Sequence, residues 1–331
     1  MKKKVNPMSK RKKKILAVIT LMIAIILIVL LFVGNYLVNF AIVRTKEYVD
    51  VAPTSIVAKE HAAIIQENKA VMNTQSKLWH DSAFSEKVSL TSEDGLQLIA
   101  NLYITDPQSH KWLLGVHGYK SNKESFFDTG YQYAQHDYNV LLPDMRSHGE
   151  SEGTYIGMGW LEKDDVLQWL DYIITKDPAA EIIVQGTSMG GAAVMMLSGE
   201  KLPDNVKGIV EDCGYTTVRE IFEDELEYLF GLPPFPVLDT AEIVGAFRAG
   251  YTFREASSLK QLKKSTVPIL FIHGSADNFV QSDMVYEVYE ACPTVKDLLI
   301  IEGAGHAESQ YLDPQLYYDT IFHFIETNCI R

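Results

Sequence analysis

Short apolar segments alternate with helix-like segments along most of this chain, and this alternation constrains the fold more strongly than any other feature of the sequence. From residue 85 onward, runs of large apolar and β-branched residues are separated by stretches of about 10–15 residues with helical spacing. Strands separated by helices form βαβ units, because two parallel strands can be joined only by a long crossover connection. The pattern predicts an α/β fold, with a mainly parallel sheet and helices on both faces.

Eight strands are predicted. The segment KVSLTSEDGLQLIANLYI forms two strands around a turn at residues 93–95, and they should be antiparallel because no helix separates them. The other six strands are predicted at residues 111–118, 139–146, 181–186, 206–213, 267–274 and 297–303. Residues 215–265 interrupt the alternation with helix-like sequence, which predicts a helical cap over the carboxyl edge of the sheet. The strands and the cap together define one domain over residues 85–331.

An unbroken apolar segment precedes this domain. Residues 15–33 carry no charged side chain, and Thr20 is their only polar residue. As a helix they span about 28 Å, close to the roughly 30 Å hydrocarbon core of a bilayer, so they predict a transmembrane anchor. A cleaved signal peptide is the alternative, but its apolar core is usually about 7–15 residues long and a small-residue cleavage site follows it. The GNYLVN segment that follows here contains no clear site. Residues 34–84 are predicted to be a linker with a helix over residues 58–79.

Charge is unevenly distributed along the chain. The formal net charge is −13, yet residues 1–14 contain eight Lys or Arg residues and no acidic residue. A basic segment before an apolar span predicts a cytoplasmic N-terminus, with the rest of the chain outside the cytoplasmic membrane. That remainder is strongly acidic and would repel phosphate, which argues against a nucleic-acid partner. The three cysteines show no metal-binding spacing.

One serine lies between glycines at the junction of a predicted strand and a predicted helix. In EIIVQGTSMGGAAVMML, Ser188 is flanked by Gly186 and Gly190. Ligands of open α/β sheets bind beyond the carboxyl ends of the strands, so a tight turn here would present the Ser188 hydroxyl above the sheet. Side chains at the two glycine positions would collide with the neighbouring strand or helix. The segment GTSMG therefore fits the nucleophile elbow, G-x-S-x-G.

A serine hydroxyl is a poor nucleophile unless a base takes its proton and an acid orients that base. Asp277 and His306 each follow a predicted strand at the edge where Ser188 lies, in the chain order serine, aspartate, histidine. His148, in RSHGESEG, is the alternative base, although it precedes the serine in the chain. Asp212, at the end of the strand after the serine's helix, is the alternative acid.

Acyl transfer also needs hydrogen-bond donors for the developing oxyanion. We expect one from the backbone N–H of Met189, at the start of the predicted helix. We expect the second from the backbone N–H of Tyr119, in the loop after LLGVHG. This chemistry requires no metal ion and no cofactor.

These segments together resemble a known superfamily. The combination HGY, DMRSHGESEG, GTSMGG, HGSADNFV and GAGH resembles the α/β hydrolases, in particular the prolyl-oligopeptidase-like and Bem46-like branch and its membrane-anchored bacterial hydrolases. The resemblance runs from about residue 86 to residue 324. It implies an eight-stranded α/β-hydrolase sheet. True prolyl oligopeptidases also carry a large β-propeller, for which residues 34–84 are far too short.

The resemblance also implies an activity, that of a serine hydrolase of the esterase, lipase or peptidase type. It implies that Ser188 is the nucleophile, Asp277 the acid and His306 the base, and that Tyr119 and Met189 form the oxyanion hole. The expected substrate is a small-molecule or lipid-like acyl ester, thioester or amide. A non-catalytic extracytoplasmic binding protein and an acyltransferase with the same three residues are the alternatives.

The predicted cap is rich in aromatic residues. These side chains would line an apolar acyl pocket or form the core of the cap, since pockets and cores use the same residue types. The residues concerned are Phe222, Tyr228, Phe230, Phe235 and Phe247. The sequence does not specify the acyl length or the oligomeric state.

Overall fold

The computed structural model describes residues 9–45 and 56–330. Eight strands form one sheet in the order β1-β2-β4-β3-β5-β6-β7-β8. The strands are β1 Glu86–Thr91, β2 Gln97–Tyr103, β3 Lys111–Val116, β4 Asn139–Pro143, β5 Glu181–Thr187, β6 Val206–Asp212, β7 Ile269–Gly274 and β8 Lys296–Ile301. Strand β2 is antiparallel to both β1 and β4, and the other neighbouring pairs are parallel. The predicted eight-stranded, mainly parallel α/β sheet is confirmed.

Helices cover both faces of this sheet. They are α1 Lys10–Ala41, α2 Lys59–Ala83, α3 Phe127–Ala134, α4 Glu162–Lys176, α5 Met189–Leu197, α6 Val218–Phe230, α7 Pro234–Ala249, α8 Ser258–Leu262, α9 Met284–Ala291, α10 Ser309–Leu312 and α11 Pro314–Asn328. Successive strand residues point to opposite faces. Leu114 therefore packs in a core with α4, α5 and α9. The neighbouring Leu113 packs in a second core with α2, α3 and α11.

Two predicted helices differ in the structure. The helix expected over residues 58–79 continues to Ala83, and it packs on the sheet's second core through Ile65, Met72 and Trp79. The final helix, expected from about residue 306 to residue 327, is divided into α10 and α11. The division falls at Pro314, which has no N–H to continue a helix and so begins α11 instead.

Helix α1 is longer than the apolar segment that predicts it. Side chains up to Val29 are exposed, and a partly or fully buried stripe begins at Leu30 and continues through Val33, Leu37 and Val38. This spacing of three and four residues is one face of a helix. The buried stripe packs with the cap in a third core that also contains Met189. Among the described residues, α1 is the one helix long and apolar enough to cross a membrane.

Helices α6 and α7 form the cap, which lies beside the last turns of α1. Helix α8 packs with α5 and α9 on the main domain. Gly34 permits this close packing, because a Cβ atom built there would lie only 3.0 Å from backbone atoms of Thr240 and Ala241. Beyond α1, the carbonyl of Ile42 accepts a hydrogen bond of 2.7 Å from the N–H of Ile156. The end of α1 is therefore held by both the cap and the main domain.

Candidate active site

Ser188 lies on a strained turn between β5 and α5. Its backbone has φ 59° and ψ −121°, a conformation that non-glycine residues rarely adopt and that is concentrated at functional sites. A Cβ atom at Gly186 would collide with the carbonyl of Gly190, and one at Gly190 would collide with the carbonyl of Val116. Only glycine fits at these two positions, which is the physical reason for the GTSMG pattern.

The structure brings Ser188, His306 and Asp277 together in one hydrogen-bonded chain. His306 Nε2 lies 2.8 Å from Ser188 Oγ. Its other ring nitrogen, Nδ1, lies 2.7 Å from Asp277 Oδ2. The three residues are far apart in the chain, but they follow β5, β8 and β7, whose carboxyl ends share one edge of the sheet. The parallel sheet therefore makes the contact.

Asp277 is buried and fully hydrogen-bonded. Its Oδ1 accepts bonds of 3.0 Å from the N–H groups of Phe279 and Val280, and its Oδ2 also lies 3.2 Å from His273 Nε2. Burial pushes the pKa of Asp277 upward, but the hydrogen bonds from His273 and His306 outweigh it and lower the pKa to about 2. The ionised carboxylate favours a proton on His306 Nδ1, which leaves Nε2 free to accept the Ser188 proton.

The two alternative residues from the sequence make other contacts. His148 Nε2 accepts a bond of 3.1 Å from the N–H of Lys120, and burial lowers the pKa of His148 to about 3. Asp212 Oδ2 accepts a bond of 2.9 Å from the hydroxyl of Tyr317, and burial raises the pKa of Asp212 to about 6. Both side chains are engaged in holding loops and helices around the sheet.

The residues predicted for the oxyanion hole both lie beside Ser188. Met189 is the first residue of α5, and Tyr119 follows β3. A Cβ atom built at Gly118 would lie 3.7 Å from Ser188 Oγ, so the loop before Tyr119 passes directly against the serine. The Tyr119 side chain reaches the end of α1, where its hydroxyl donates a 2.5 Å bond to the carbonyl of Ala41.

An apolar pocket lies above Ser188. Its empty volume is about 810 Å³, including its opening to solvent. Two of the five cap aromatics, Phe222 and Phe230, line it. The pocket interpretation is wrong for the other three, because Tyr228, Phe235 and Phe247 have exposed fractions of 55%, 77% and 92%. A linear sequence could not separate the two groups, since that depends on which side of each cap helix packs inward.

Sequence reasoning missed two parts of the pocket lining. The first is α1, which contributes Leu37, Phe40 and Ala41. The sequence signal is that residues 35–41 contain no glycine or proline, so a helix can continue past Gly34. The second is Glu225, whose burial raises its pKa to about 7. Its signal was helical spacing, because Glu225 falls on the apolar stripe of α6.

Two of the three residues of the hydrogen-bonded chain also belong to a group of side chains with metal-ligand atom types. Among the residues described, ligand atoms of Cys213, Asp277 and His306 lie within 4.8 Å of one another. Burial raises the pKa of the Cys213 thiol well above its ordinary value, and a thiol must ionise before it can bind a metal. Asp277 and His306 are already bonded to each other. The arrangement fits proton transfer better than metal binding.

The central part of the chain, which contains Ser188, matches a known protein family. The family described as serine aminopeptidase, S33, matches residues 107–222. The uncharacterized protein YqkD of Bacillus subtilis (strain 168) is 30% identical over 190 residues, which cover 57% of this chain and 62% of that relative. The match thus spans somewhat less than two thirds of the relative's length.

Two solved structures have the same fold. The Pyrococcus furiosus esterase Pf2001 aligns with a TM-score of 0.60 and 22% identity, covering 75% of this chain and 94% of the esterase. Pyrococcus horikoshii acylaminoacyl peptidase aligns with a TM-score of 0.57 and 17% identity, covering 75% of this chain and 42% of the peptidase. Together with the sheet order and the turn at Ser188, these matches show that the chain has the α/β-hydrolase fold.

Proposed function

We propose that this protein is a membrane-anchored serine hydrolase that cleaves acyl esters, with Ser188 as nucleophile, His306 as base and Asp277 as the acid that orients the base. The observation that carries the proposal is the continuous chain of hydrogen bonds, 2.8 Å from Ser188 to His306 and 2.7 Å from His306 to Asp277. The strained backbone of Ser188 supports catalysis over passive binding, because strain of this kind persists where it serves a function.

The reaction has two halves. Ser188 Oγ attacks the ester carbonyl while His306 Nε2 takes the hydroxyl proton, and the collapsing tetrahedral adduct expels the alcohol, which receives that proton from His306. A water molecule then attacks the acyl-serine, again giving its proton to His306. Ser188 recovers the proton and the carboxylic acid leaves. Thioesters and amides would follow the same route with a different leaving group.

Backbone donors would stabilise the negative charge on the carbonyl oxygen. We assign this role to the N–H groups of Met189 and Tyr119. Met189 is the first residue of α5, where the N–H groups of the first turn have no partner within the helix. Preorganised donors of this type contribute about 10²–10³-fold in kcat each.

The membrane anchor is supported by the properties of α1. Its exposed apolar surface extends from Ile15 to Phe32, with individual exposed fractions of 43–74%, which would be unfavourable in water. Since Leu37 and Ala41 also line the pocket, cleavage after the apolar segment would place the cut beside the site. We therefore favour an uncleaved anchor, with the N-terminus in the cytoplasm and the catalytic domain outside.

Activity-based labelling tests the proposal. A fluorophosphonate probe should label the wild-type protein. Ser188→Ala should abolish this labelling and should lower the rate of p-nitrophenyl butyrate hydrolysis by roughly 10³-fold or more. Ser198→Ala is the matched control, because Ser198 lies at the other end of α5 and its hydroxyl donates a 2.7 Å bond to the carbonyl of Met195. Equal labelling of wild type and Ser188→Ala would rule out the assignment.

A further inference from the structure

The anchor helix forms part of the pocket above Ser188. Leu37, Phe40 and Ala41 of α1 line the same space as Ser188 and the cap residues of α6 and α7. Leu37 is only 8% exposed, although it lies on a helix whose preceding turns face outward. A helix that served only as a tether would not need to reach the catalytic centre.

Several contacts hold this end of α1 in place. Arg248 of α7 donates hydrogen bonds of 2.6 Å and 2.8 Å to the side-chain oxygens of Asn35 and Asn39. On the other side, Arg44 donates bonds of 2.5 Å and 2.7 Å to the carbonyls of Ser151 and Gly149. Arg248 thus ties α1 to the cap, and Arg44 ties the segment after α1 to the main domain, in both cases through charge-assisted hydrogen bonds, which are stronger than neutral ones. The part of α1 that lines the pocket, Leu37, Phe40 and Ala41, is called the helix wall below, and these contacts make it a fixed part of the site.

The register of α1 and α7 places the cap beside the apolar segment. Gly34 lies against Ala241, and Val38 lies against Gly245, so residue numbers rise together and the two helices run parallel. The start of α7 therefore points toward the apolar half of α1. Partly buried positions on α1 begin at Leu30, within residues 15–33. If that segment fills the hydrocarbon core, the cap rests in the interfacial layer of the membrane.

An aromatic cluster lies at the seam between α1 and α6. Phe40 and Phe230 line the pocket, and their rings pack edge to face with centroids 5.6 Å apart. Tyr36 lies 6.4 Å and 6.5 Å from these two rings and is 57% exposed. The cluster thus connects the pocket to the outer surface of α1. Aromatic residues are enriched at membrane interfaces.

The neighbouring surface of the cap is also apolar. Helix α7 exposes Ile243 and Phe247, with exposed fractions of 66% and 92%, while Ala241 and Gly245 on the same helix are buried. Exposed aromatic and aliphatic side chains on a helix next to a membrane span are typical of a surface that lies in the headgroup layer. The occupant of this face is therefore the bilayer that α1 enters.

We propose that the pocket receives an acyl chain directly from the bilayer, through the seam between α1 and α6, and that the substrate is a lipid-borne acyl ester. This inference rests on the proposed hydrolase function. The overall reaction is ester plus water giving a fatty acid and an alcohol. Leu37 and Ala41 bound the acyl chain, Phe40 and Phe230 lie where it passes, and Ile243 and Phe247 keep the cap at the lipid surface.

The first experiment tests the helix wall. The full chain is reconstituted in vesicles of phosphatidylcholine and phosphatidylglycerol, and hydrolysis of 4-methylumbelliferyl palmitate is compared with that of the butyrate. Leu37→Trp fills the pocket and should lower the palmitate-to-butyrate rate ratio by about tenfold or more. Leu31→Trp is the matched control, because Leu31 is 50% exposed on the same helix, and the ratio should not change.

A second filling variant, Ala41→Leu, should shift the ratio in the same direction. Fluorophosphonate labelling of each variant reports whether the site is intact. Labelled variants with an unchanged ratio would overturn the helix-wall proposal. If the wild type hydrolyses neither ester and Ser188 is not labelled, the proposed function itself is wrong, which is a different outcome.

The second experiment tests the route from the bilayer. The double variant Ile243→Asp with Phe247→Asp should lower palmitate hydrolysis in vesicles relative to detergent micelles, by about fivefold or more, since each charge is costly to hold in the interface. Leu316→Asp is the control, because Leu316 is exposed on α11, outside the cap. An unchanged vesicle-to-micelle ratio in the double variant would show that the acyl chain reaches the pocket through water, and would overturn this route.

Discussion

At the scale of single residues, two buried aspartates are distinguished by their contacts. Asp277 is bonded to His306, and Asp212 is bonded to Tyr317. Asp277→Asn should lower kcat by about 10⁴-fold, because the amide no longer favours the His306 tautomer that accepts the serine proton. The conservative change Asp212→Asn should lower kcat less than about tenfold. Steady-state kinetics with p-nitrophenyl butyrate measure both.

The reverse order of effects would assign the orienting role to Asp212. Thermal unfolding of the two variants provides the control, since a loss of activity that follows a loss of folded protein says nothing about orientation. Asp277 stays ionised across the usual assay range, because its pKa is about 2. Its own titration should therefore not contribute to the pH–rate profile between about pH 5 and pH 9.

Glu225 predicts a pH-dependent chain-length preference. Burial raises its pKa to about 7, so its carboxyl is mostly neutral at pH 6 and mostly ionised at pH 8.5. A charge in the pocket wall disfavours an acyl chain, because the chain removes water from that charge. The palmitate-to-butyrate ratio of kcat/KM should therefore fall by about five- to tenfold over this pH range.

Glu225→Gln provides the comparison, because the amide keeps the shape and does not ionise. Its palmitate-to-butyrate ratio should be nearly constant from pH 6 to pH 8.5. Both substrates share the same catalytic residues, so titration of those residues cancels in the ratio. A wild-type ratio that is flat over this range would contradict the role of Glu225.

At the scale of structural elements, the packing of α1 on α7 depends on Gly34. Gly34→Val places a branched side chain against backbone atoms of Thr240 and Ala241, where even a Cβ atom would lie at 3.0 Å. Overpacking of this kind typically costs about 1–3 kcal/mol. We expect a lower unfolding temperature in detergent and a lower palmitate-to-butyrate ratio, because the helix wall moves outward.

Ala24→Val is the control for Gly34→Val, since Ala24 lies on the exposed part of α1. It should change neither the unfolding temperature nor the substrate ratio. If both variants behave alike, the α1–α7 contact does not contribute to the stability of the cap.

The elements themselves were largely predictable, and the differences have local causes. Alternating apolar strands and helices predicted all eight strands, because the period of apolar residues reflects which faces are buried. The end of α1 was predicted too early, at residue 33, because the prediction followed hydropathy alone. The helix continues to Ala41 because Gly34 is tolerated in its interior, where α7 packs against it.

At the scale of the whole molecule, the distribution of charge predicts the orientation in the membrane. An N-terminal tag should be protected from added protease in right-side-out vesicles, and a C-terminal tag should be cleaved. Replacing the five basic residues at positions 10–14 with Gln should increase the fraction of protected C-terminal tag, because the positive charges retain the N-terminus in the cytoplasm. Complete protection of the C-terminal tag in the wild type would contradict the proposed orientation.

The sequence by itself determined the fold class and the identity of the three side chains that meet at the carboxyl edge of the sheet. Both follow from local patterns: apolar periodicity defines strands and helices, and side chains placed just after parallel strands must share one edge. For the same reason Ser188, Asp277 and His306 could be named without coordinates.

Only the tertiary structure decided what surrounds those side chains. Leu37 and Glu225 line the pocket because of how α1 and α6 pack, and Phe247 is exposed because of the side of α7 on which it lies. Contacts between helices distant in the chain depend on packing angles and small residues such as Gly34, and periodicity within one helix carries no information about its neighbour. The connection between α1 and the pocket therefore exists only in the folded chain.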